Sequence, residues 1–175
     1  RIPMSTRKKV PCCIMRGGTS KGVYFLESDI PQAGPDRDQF LLHVMGSPDL
    51  RQIDGLGGAA SVTSKVAMIG PSMRPDADVN YTFAQVSVDK PLVSYKGNCG
   101  NISSGVGAFA IERGLVEAVA PLTEVRIFNT NTEKIIVEEV QVCDGEVQYQ
   151  GNYRIAGVPG SAAPVKMKFL KPAGT

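Results

Sequence analysis

The sequence predicts an α+β domain in which a curved, mostly antiparallel sheet wraps around one central helix. About nine short segments have the length and the apolar or alternating pattern of strands, and turn residues separate them. The pair Asp144-Gly145 between two such segments is typical of a two-residue hairpin, which makes the strands on either side antiparallel. The segment 105–113 has helical character and is apolar on most faces, so we expect it to lie at the centre of the domain.

The boundaries of the predicted elements follow from where each pattern begins and ends. A glycine-rich turn over 16–22 separates the first two strands and predicts a hairpin, and Gly46 ends a run with helical spacing. The alternation slips near Ala84, which predicts a bulge. In chain order we expect strands over 9–15, 23–26, 65–69, 80–89, 92–95, 123–128, 134–142, 146–150 and 165–170, and helices over 36–45 and 105–113.

The composition excludes several classes of protein. At 175 residues the chain can form one domain with its own core, which we expect over 9–170, after a tail over 1–8. The net charge is +2 and no basic stripe alternates with aromatic residues, so no nucleic-acid partner is expected. No apolar run approaches the roughly 18 residues of a membrane helix, so no membrane partner is expected.

The cysteines indicate a reducing compartment. The adjacent pair Cys12-Cys13 and the distant Cys99 and Cys143 match neither a zinc-site spacing nor a disulfide framework, so we expect no metal. Residues 1–9 are basic and polar and lack the apolar segment of a signal peptide. We therefore expect the protein to be cytoplasmic.

The segment 96–107 is the first candidate for a functional site. Cys99 lies between two Gly-Asn pairs and precedes a helix, so free backbone N–H groups would favour a thiolate or a bound carboxylate there. Asn98 and Asn101 would add amide donors. The alternative is a Gly-Asn turn that contains a buried structural cysteine.

The segment 54–65 is a second glycine-rich candidate. Gly55, Gly57 and Ala60 have the offsets of a dinucleotide-binding fingerprint, but a polar segment precedes them and no amphipathic helix follows, so we regard the match as accidental. Lys65 follows three hydroxyl residues and begins an apolar strand, where a lysine is usually solvated. It becomes a candidate for catalysis only if the fold brings it to Cys99.

Three segments, 15–22, 54–67 and 97–107, resemble the 2-methylaconitate cis-trans isomerase family, the PrpF proteins, whose relatives include oxalomesaconate tautomerase and methylitaconate isomerase. The resemblance implies the diaminopimelate-epimerase-like fold, in which two similar halves each wrap a curved sheet around a helix and the active site lies between them. This chain would cover the first half only, and 171–175 would lead towards a second domain.

The resemblance also implies a reaction and a set of residues. The reaction is a cofactor-free allylic proton shift on a small unsaturated di- or tricarboxylate, and Lys65 and Cys99 match the family's proton-transfer pair. Which of the two is base and which is acid stays open. The residue types around this pair suit the carboxylates of the substrate, and the expected substrate-binding residues are Arg16, Thr19, Ser20, Lys21, Ser64, Asn98, Gly100, Asn101, Ser103 and Ser104.

Two other functions stay open at this point. Cys99 could be a nucleophile in acyl transfer, but His43 is the only histidine, no residue is placed to orient it, and we expect it to be a partly exposed helix residue. Alternatively, the chain could be a non-catalytic half that binds carboxylates or associates with a second copy or a second domain through an exposed apolar surface.

Overall fold

The computed structural model describes residues 7–170. Most of the predicted tail over 1–8 and all of the predicted exit over 171–175 lie outside the described residues. No helix in the described range is both long and apolar enough to cross a bilayer. The strands are β1 (Cys13–Gly17), β2 (Ser20–Leu26), β3 (Lys65–Pro71), β4 (Val79–Val86), β5 (Val93–Ser94), β6 (Leu122–Asn129), β7 (Lys134–Cys143), β8 (Glu146–Val147) and β9 (Lys166–Leu170), and the helices are α1 (Pro35–Met45), α2 (Gly100–Ser103) and α3 (Val106–Glu112).

The nine strands form one sheet in the order β1, β2, β3, β4, β6, β7, β8, with β5 paired to β4 and β9 paired to β7. The pairs β2 with β3 and β4 with β6 are parallel. Every other pair among the described strands is antiparallel. The prediction of a mostly antiparallel sheet is therefore confirmed.

Both faces of the sheet are covered by helices. Tyr81 of β4 packs with Phe109 of α3 in one buried cluster, whereas Ala84 of β4 packs with Leu41 of α1 in a second cluster on the opposite face. Six of the seven residues of α3 are buried, so α3 is the central helix of the fold. The predicted α+β class, with a curved sheet around a central helix, is confirmed.

Strand β4 does not contain the bulge that was predicted near Ala84. Its pairing with β3 continues without interruption over all seven residues of β3. Phe83 and Ala84 are both buried because the two faces of the sheet pack against different clusters. The slip in alternation therefore reports a sheet covered on both faces and not an extra residue.

The first hairpin is tighter than the predicted loop over 16–22. Strands β1 and β2 continue until Gly17 pairs with Ser20, so only Gly18 and Thr19 lie in the turn. Gly18 has a φ of 54°, a left-handed conformation that glycine adopts without strain. Residues expected in a loose loop are therefore held in a strand ladder.

The helix predicted over 105–113 is confirmed as α3, and the structure adds a separate helix of one turn, α2, before it. Helix α2 begins directly after Cys99 and lasts one turn, and α3 follows from Val106. The Ser104 hydroxyl donates to the Asn101 carbonyl at 2.6 Å at the end of α2. A serine hydroxyl bonded to the preceding turn competes with the backbone, which is consistent with a break at this point.

A buried carboxyl group connects β7 to the start of α3. No part of Glu138 is exposed, and its Oε1 accepts a hydrogen bond from the N–H of Gly107 at 2.8 Å. Gly107 lies in the first turn of α3, where N–H groups have no partner within the helix. Burial raises the pKa of Glu138 to about 8, although the bond from Gly107 acts in the opposite direction. The carboxyl group is therefore mostly protonated in the folded protein at neutral pH.

We expect Glu138 to make the protein less stable as pH rises from about 4.5 to about 8. In this window the folded protein keeps the proton and the unfolded chain releases it, so each pH unit removes about 1.4 kcal/mol of folding free energy. Glu138→Gln keeps an oxygen for Gly107 and has no proton to lose. Urea unfolding across this pH range should give a flatter profile for this variant, whereas exposed Glu124→Gln should keep the parent slope. An unchanged slope in Glu138→Gln would contradict the assignment.

Candidate active site

The three glycine-rich segments of the sequence meet at one end of the sheet. Strands β2 and β3 are parallel neighbours, and Gly22 of the first segment pairs with Lys65 of the second. The backbone N–H of Thr19, at the hairpin turn, donates to the Asn101 side chain of the third segment at 3.3 Å. The fold therefore brings together residues that are up to 82 positions apart in the chain.

Glycines allow the hairpin to lie directly against α2. A Cβ atom at Gly17 would be 2.4 Å from the carbonyl oxygen of Asn101, and one at Gly18 would be 2.1 Å from the Oδ1 of the same residue. At Gly22, a Cβ would be 2.8 Å from the Cδ1 of Ile102. At Gly17 the obstacle is the backbone of α2, so a side chain there would displace the helix, whereas at Gly18 and Gly22 the side chains of Asn101 and Ile102 would have to move.

Tyr24 of β2 holds α2 against the sheet through a buried hydrogen bond. Its hydroxyl group donates to the carbonyl of Ile102 at 2.6 Å, and both residues are fully buried. Burial raises the pKa of Tyr24, so the hydroxyl keeps its proton and stays a donor. The same carbonyl also accepts from the backbone N–H of Gly105 at 3.2 Å, so Tyr24 adds a second bond, from a distant strand, to the end of α2.

Cys99 is the residue that precedes α2. It has extended backbone angles, it is half-buried, and it packs against the same buried cluster as α3. The next two residues, Gly100 and Asn101, are exposed, and their backbone N–H groups have no hydrogen-bond partner among residues 7–170. Two donors beside the thiol are therefore available to an anionic ligand.

Two asparagines at the end of β6 and just after it hold the segment that leads to Cys99. Asn129 is buried, and its amide nitrogen donates to the Oδ1 of Asn98 at 2.9 Å. Asn131 donates from its backbone to Asn129 and from its side chain to the carbonyl of Tyr95 at 2.8 Å. The approach to Cys99 is therefore fixed by neutral amide groups.

Lys65 lies on the same face of the sheet as Cys99. Its Nζ is 5.3 Å from the centre of the Phe83 ring, and Phe83 and Cys99 belong to one cluster. The Nζ donates to the Oε1 of Gln85 at 2.7 Å. Among the described residues, no carboxylate lies within salt-bridge distance of this amine.

Three of the predicted substrate-binding serines are buried. Ser64 and Ser103 have no exposed surface, and Ser20 is 3% exposed. The Ser64 hydroxyl donates to the carbonyl of Val86 and accepts from Gln52, so its hydrogen bonds are used inside the protein. In this structure these serines support the site and present almost no surface to a ligand.

The predicted binding residues at the hairpin are more accessible. Arg16 is exposed, its Nη1 donates to the carbonyl of Gly18 at 2.8 Å, and it lies opposite half-buried Lys21 in the ladder. Thr19, Asn98 and Ser104 also retain exposed or half-buried surface.

A cavity of about 270 Å³ lies beside the hairpin and α2. Arg16, Gly100, Asn101 and Ser104 line it, together with residues of the segment that precedes β9. Lys65 and Cys99 do not line it. The cavity is therefore adjacent to the candidate site and does not contain the predicted proton-transfer pair.

His43 is exposed, as the sequence predicted, and belongs to α1. Helix α1 packs on the face of the sheet opposite to the cluster that contains Cys99. This placement separates His43 from Cys99, so His43 is not the base for acyl transfer by that thiol.

Sequence reasoning missed the residues that support the site. Tyr24, Gln52, Gln85, Asn129 and Asn131 occur in ordinary strand and loop patterns. Tyr24, Gln85, Asn129 and Asn131 each bond to a partner at least 24 positions away, and Gln52 bonds to one 12 positions away, so no local spacing reveals them. A buried amide or hydroxyl becomes informative only when its partner is known.

We expect Tyr24→Phe to lower the free energy of unfolding by about 1 kcal/mol, because the buried carbonyl of Ile102 loses one of its two donors and keeps the N–H of Gly105. Urea unfolding monitored by circular dichroism measures the change. Tyr153→Phe is the matched control, since Tyr153 is 59% exposed and should leave the midpoint unchanged. Equal stability of the two variants would show that the buried bond contributes nothing.

A family model described as PrpF protein matches residues 7–175 of the chain. A 4-oxalomesaconate tautomerase from Pseudomonas putida is 60% identical over 95% of this chain and 46% of its own length. A 2-methyl-aconitate isomerase from Shewanella oneidensis is 47% identical over 94% of this chain and 44% of its own length. The chain thus spans about half the length of these curated relatives.

Solved structures agree with this similarity. A methylitaconate-delta-isomerase superposes with a TM-score of 0.88 at 56% identity, and the match covers 90% of this chain and 41% of that one. A hydroxyproline epimerase from Agrobacterium vitis superposes with a TM-score of 0.50 at 16% identity, over 77% of this chain and 39% of that one. The second match shows the shared epimerase-like fold alone.

Proposed function

The chain belongs to the PrpF family, and on that premise we propose that the protein is a cofactor-independent isomerase. The proposed reaction moves a proton allylically on a small unsaturated di- or tricarboxylate such as 2-methylaconitate. The relatives are named for acids of this kind, namely oxalomesaconate, methylaconitate and methylitaconate. None of the relatives reported above has a name that favours a non-catalytic role.

The observation that supports the proposal is that Lys65 and Cys99 both border the same buried cluster. The two residues lie on one face of the sheet, beside the cluster that contains Phe83. The Lys65 amine has a neutral amide as its partner, and Cys99 is followed by two backbone N–H groups that have no partner within residues 7–170. The Cys99 thiol, which can exchange a proton, is therefore followed directly by backbone donors that can bind an anion.

The chemistry that these groups support is a proton transfer in two steps. A base removes a C–H proton, and the electron pair of that bond delocalises over the double bond and the adjoining carboxylate. An acid then returns a proton at the other end of the allylic system, so the double bond moves without loss of atoms. Lys65 and Cys99 are the proposed base and acid, in either order.

The substrate carboxylates need donors that stabilise the delocalised anion. The N–H groups of Gly100 and Asn101 are the proposed site for one carboxylate, because they are exposed and unpaired among the described residues. Arg16 and Lys21, which are opposite each other in the ladder, are proposed to bind another, and Thr19, Asn98 and Ser104 are proposed to add further donors. The positive charges of Arg16 and Lys21 offset the negative charge of the substrate carboxylates.

We also propose that a second domain or a second copy of the chain completes the site, because the curated relatives are about twice as long. A cytoplasmic location is proposed from the lack of cysteine pairing in the sequence.

The proposal predicts isotope exchange at the substrate. Proton NMR in deuterated buffer, with 2-methylaconitate, methylitaconate and 4-oxalomesaconate in separate samples, should show loss of a C–H signal for at least one acid. The assay uses the full-length protein that contains this chain. Lys65→Ala and Cys99→Ser should each lower the exchange rate by about 100-fold or more.

Exposed residues of the same types provide the controls. Lys90→Ala and Cys143→Ser should exchange at the parent rate, because both residues are exposed and lie away from the three converging segments. Absence of exchange in the parent with all three acids, or rates within a few-fold of the parent in both site variants, would refute the assignment.

A further inference from the structure

The side chain of Gln85 makes three hydrogen bonds beside the candidate site. It lies in β4 directly opposite Lys65 of β3, and both side chains are on the face that packs against α3. Its Oε1 accepts from the Nζ of Lys65 at 2.7 Å. Its Nε2 donates to the carbonyl oxygens of Ser61 and Ser64, each at 3.0 Å.

These contacts determine the orientation of the Gln85 amide. An amide nitrogen has two hydrogens, and both are directed to backbone carbonyls here. A flipped amide would place its oxygen against two other oxygens and its nitrogen against the amine of Lys65. The Gln85 oxygen must therefore face Lys65, and its position is set by the backbone that precedes β3.

That backbone is itself fixed by a buried glutamine. Gln52 is 1% exposed, and its amide nitrogen donates to the hydroxyl of Ser64 at 2.8 Å. Its oxygen accepts from the N–H of Ala59 at 2.8 Å, which ties down the glycine-rich segment before β3. A series of hydrogen bonds therefore connects Gln52, Ser64 and Gln85 and ends at the Lys65 amine.

The partner of Lys65 is neutral, and this affects proton transfer. A carboxylate at the same place would hold a proton on the amine, whereas an amide oxygen directs the amine without adding charge. On the other side of Lys65, β2 presents Gly22, which has no side chain. The titratable groups that pack against this face are the thiols of Cys13 and Cys99, the buried hydroxyls of Tyr24 and Tyr81 and the buried carboxyl of Glu138. None of them makes a hydrogen bond to Lys65 within residues 7–170.

We propose that Gln85 is a positioning residue for the reaction, which holds the Lys65 amine in place through a neutral, oriented acceptor. This inference rests on the proposed function of Lys65. It assigns no contact with the substrate to Gln85, which acts through Lys65 alone.

Two variants of Gln85 separate positioning from simple structural support. Gln85→Met has a similar length and no hydrogen-bonding groups, so kcat should fall about 10- to 100-fold with KM within about twofold of the parent. Gln85→Glu places a carboxylate beside the amine, so the limb of the pH–rate profile that reports Lys65 should move upward by about one pH unit. The acidic limb moves if Lys65 is the base, and the alkaline limb moves if it is the acid.

The experiment measures exchange of deuterium into the acid that the parent protein accepts, from about pH 5 to 10, with thermal melting of each variant to report the folded fraction. Gln39→Glu makes the same chemical change at an exposed position of α1 and should leave both limbs unmoved. A purely structural role predicts activity in proportion to the folded fraction, with unmoved limbs in Gln85→Glu, and that result would overturn the inference.

The outcomes also separate this inference from the proposed function. If the parent shows no exchange, or if Lys65→Ala keeps the parent rate, the proposed function fails and Gln85 has nothing to position. If the parent is active and Lys65→Ala is not, while Gln85→Met and Gln85→Glu keep the parent kcat and pH profile, only the role of Gln85 fails.

Discussion

The close contact between the first hairpin and α2 is the constraint on which the rest of the site depends. Gly17 and Gly18 lie so near Asn101 that a Cβ atom at either position would overlap it. This contact places a one-turn helix, which has little stability of its own, on a rigid ladder of strands. The position of Cys99 follows, because it is the residue directly before that helix.

The candidate site is held mainly by neutral hydrogen bonds. Gln85 and Gln52 order the approach to Lys65, and Asn129 and Asn131 order the approach to Cys99. Amide groups orient a side chain in low dielectric without shifting its charge, whereas carboxylates near Lys65 would favour its protonated form. This arrangement suits the proton transfer that is proposed for Lys65 and Cys99.

The central helix contributes in a different way. Helix α3 is buried on nearly all sides, and the carboxyl of Glu138 bonds to its first turn from within the core. Because burial raises the pKa of this carboxyl, the contact is made mostly by the neutral acid at physiological pH. The stability of the core is therefore linked to pH, independently of any titration at Lys65 or Cys99.

The sequence by itself determined the fold class, most strand positions, the exposed His43 and the family, because periodicity and turn residues are local signals and the three glycine-rich segments form a specific pattern. The roles of Lys65 and Cys99 stay predictions. Only the tertiary structure decided the turn of two residues, the unbroken β4, the split between α2 and α3, and the amide network around Gln85. These features depend on partners distant in the chain and on a sheet covered on both faces, and neither leaves a local pattern in the sequence.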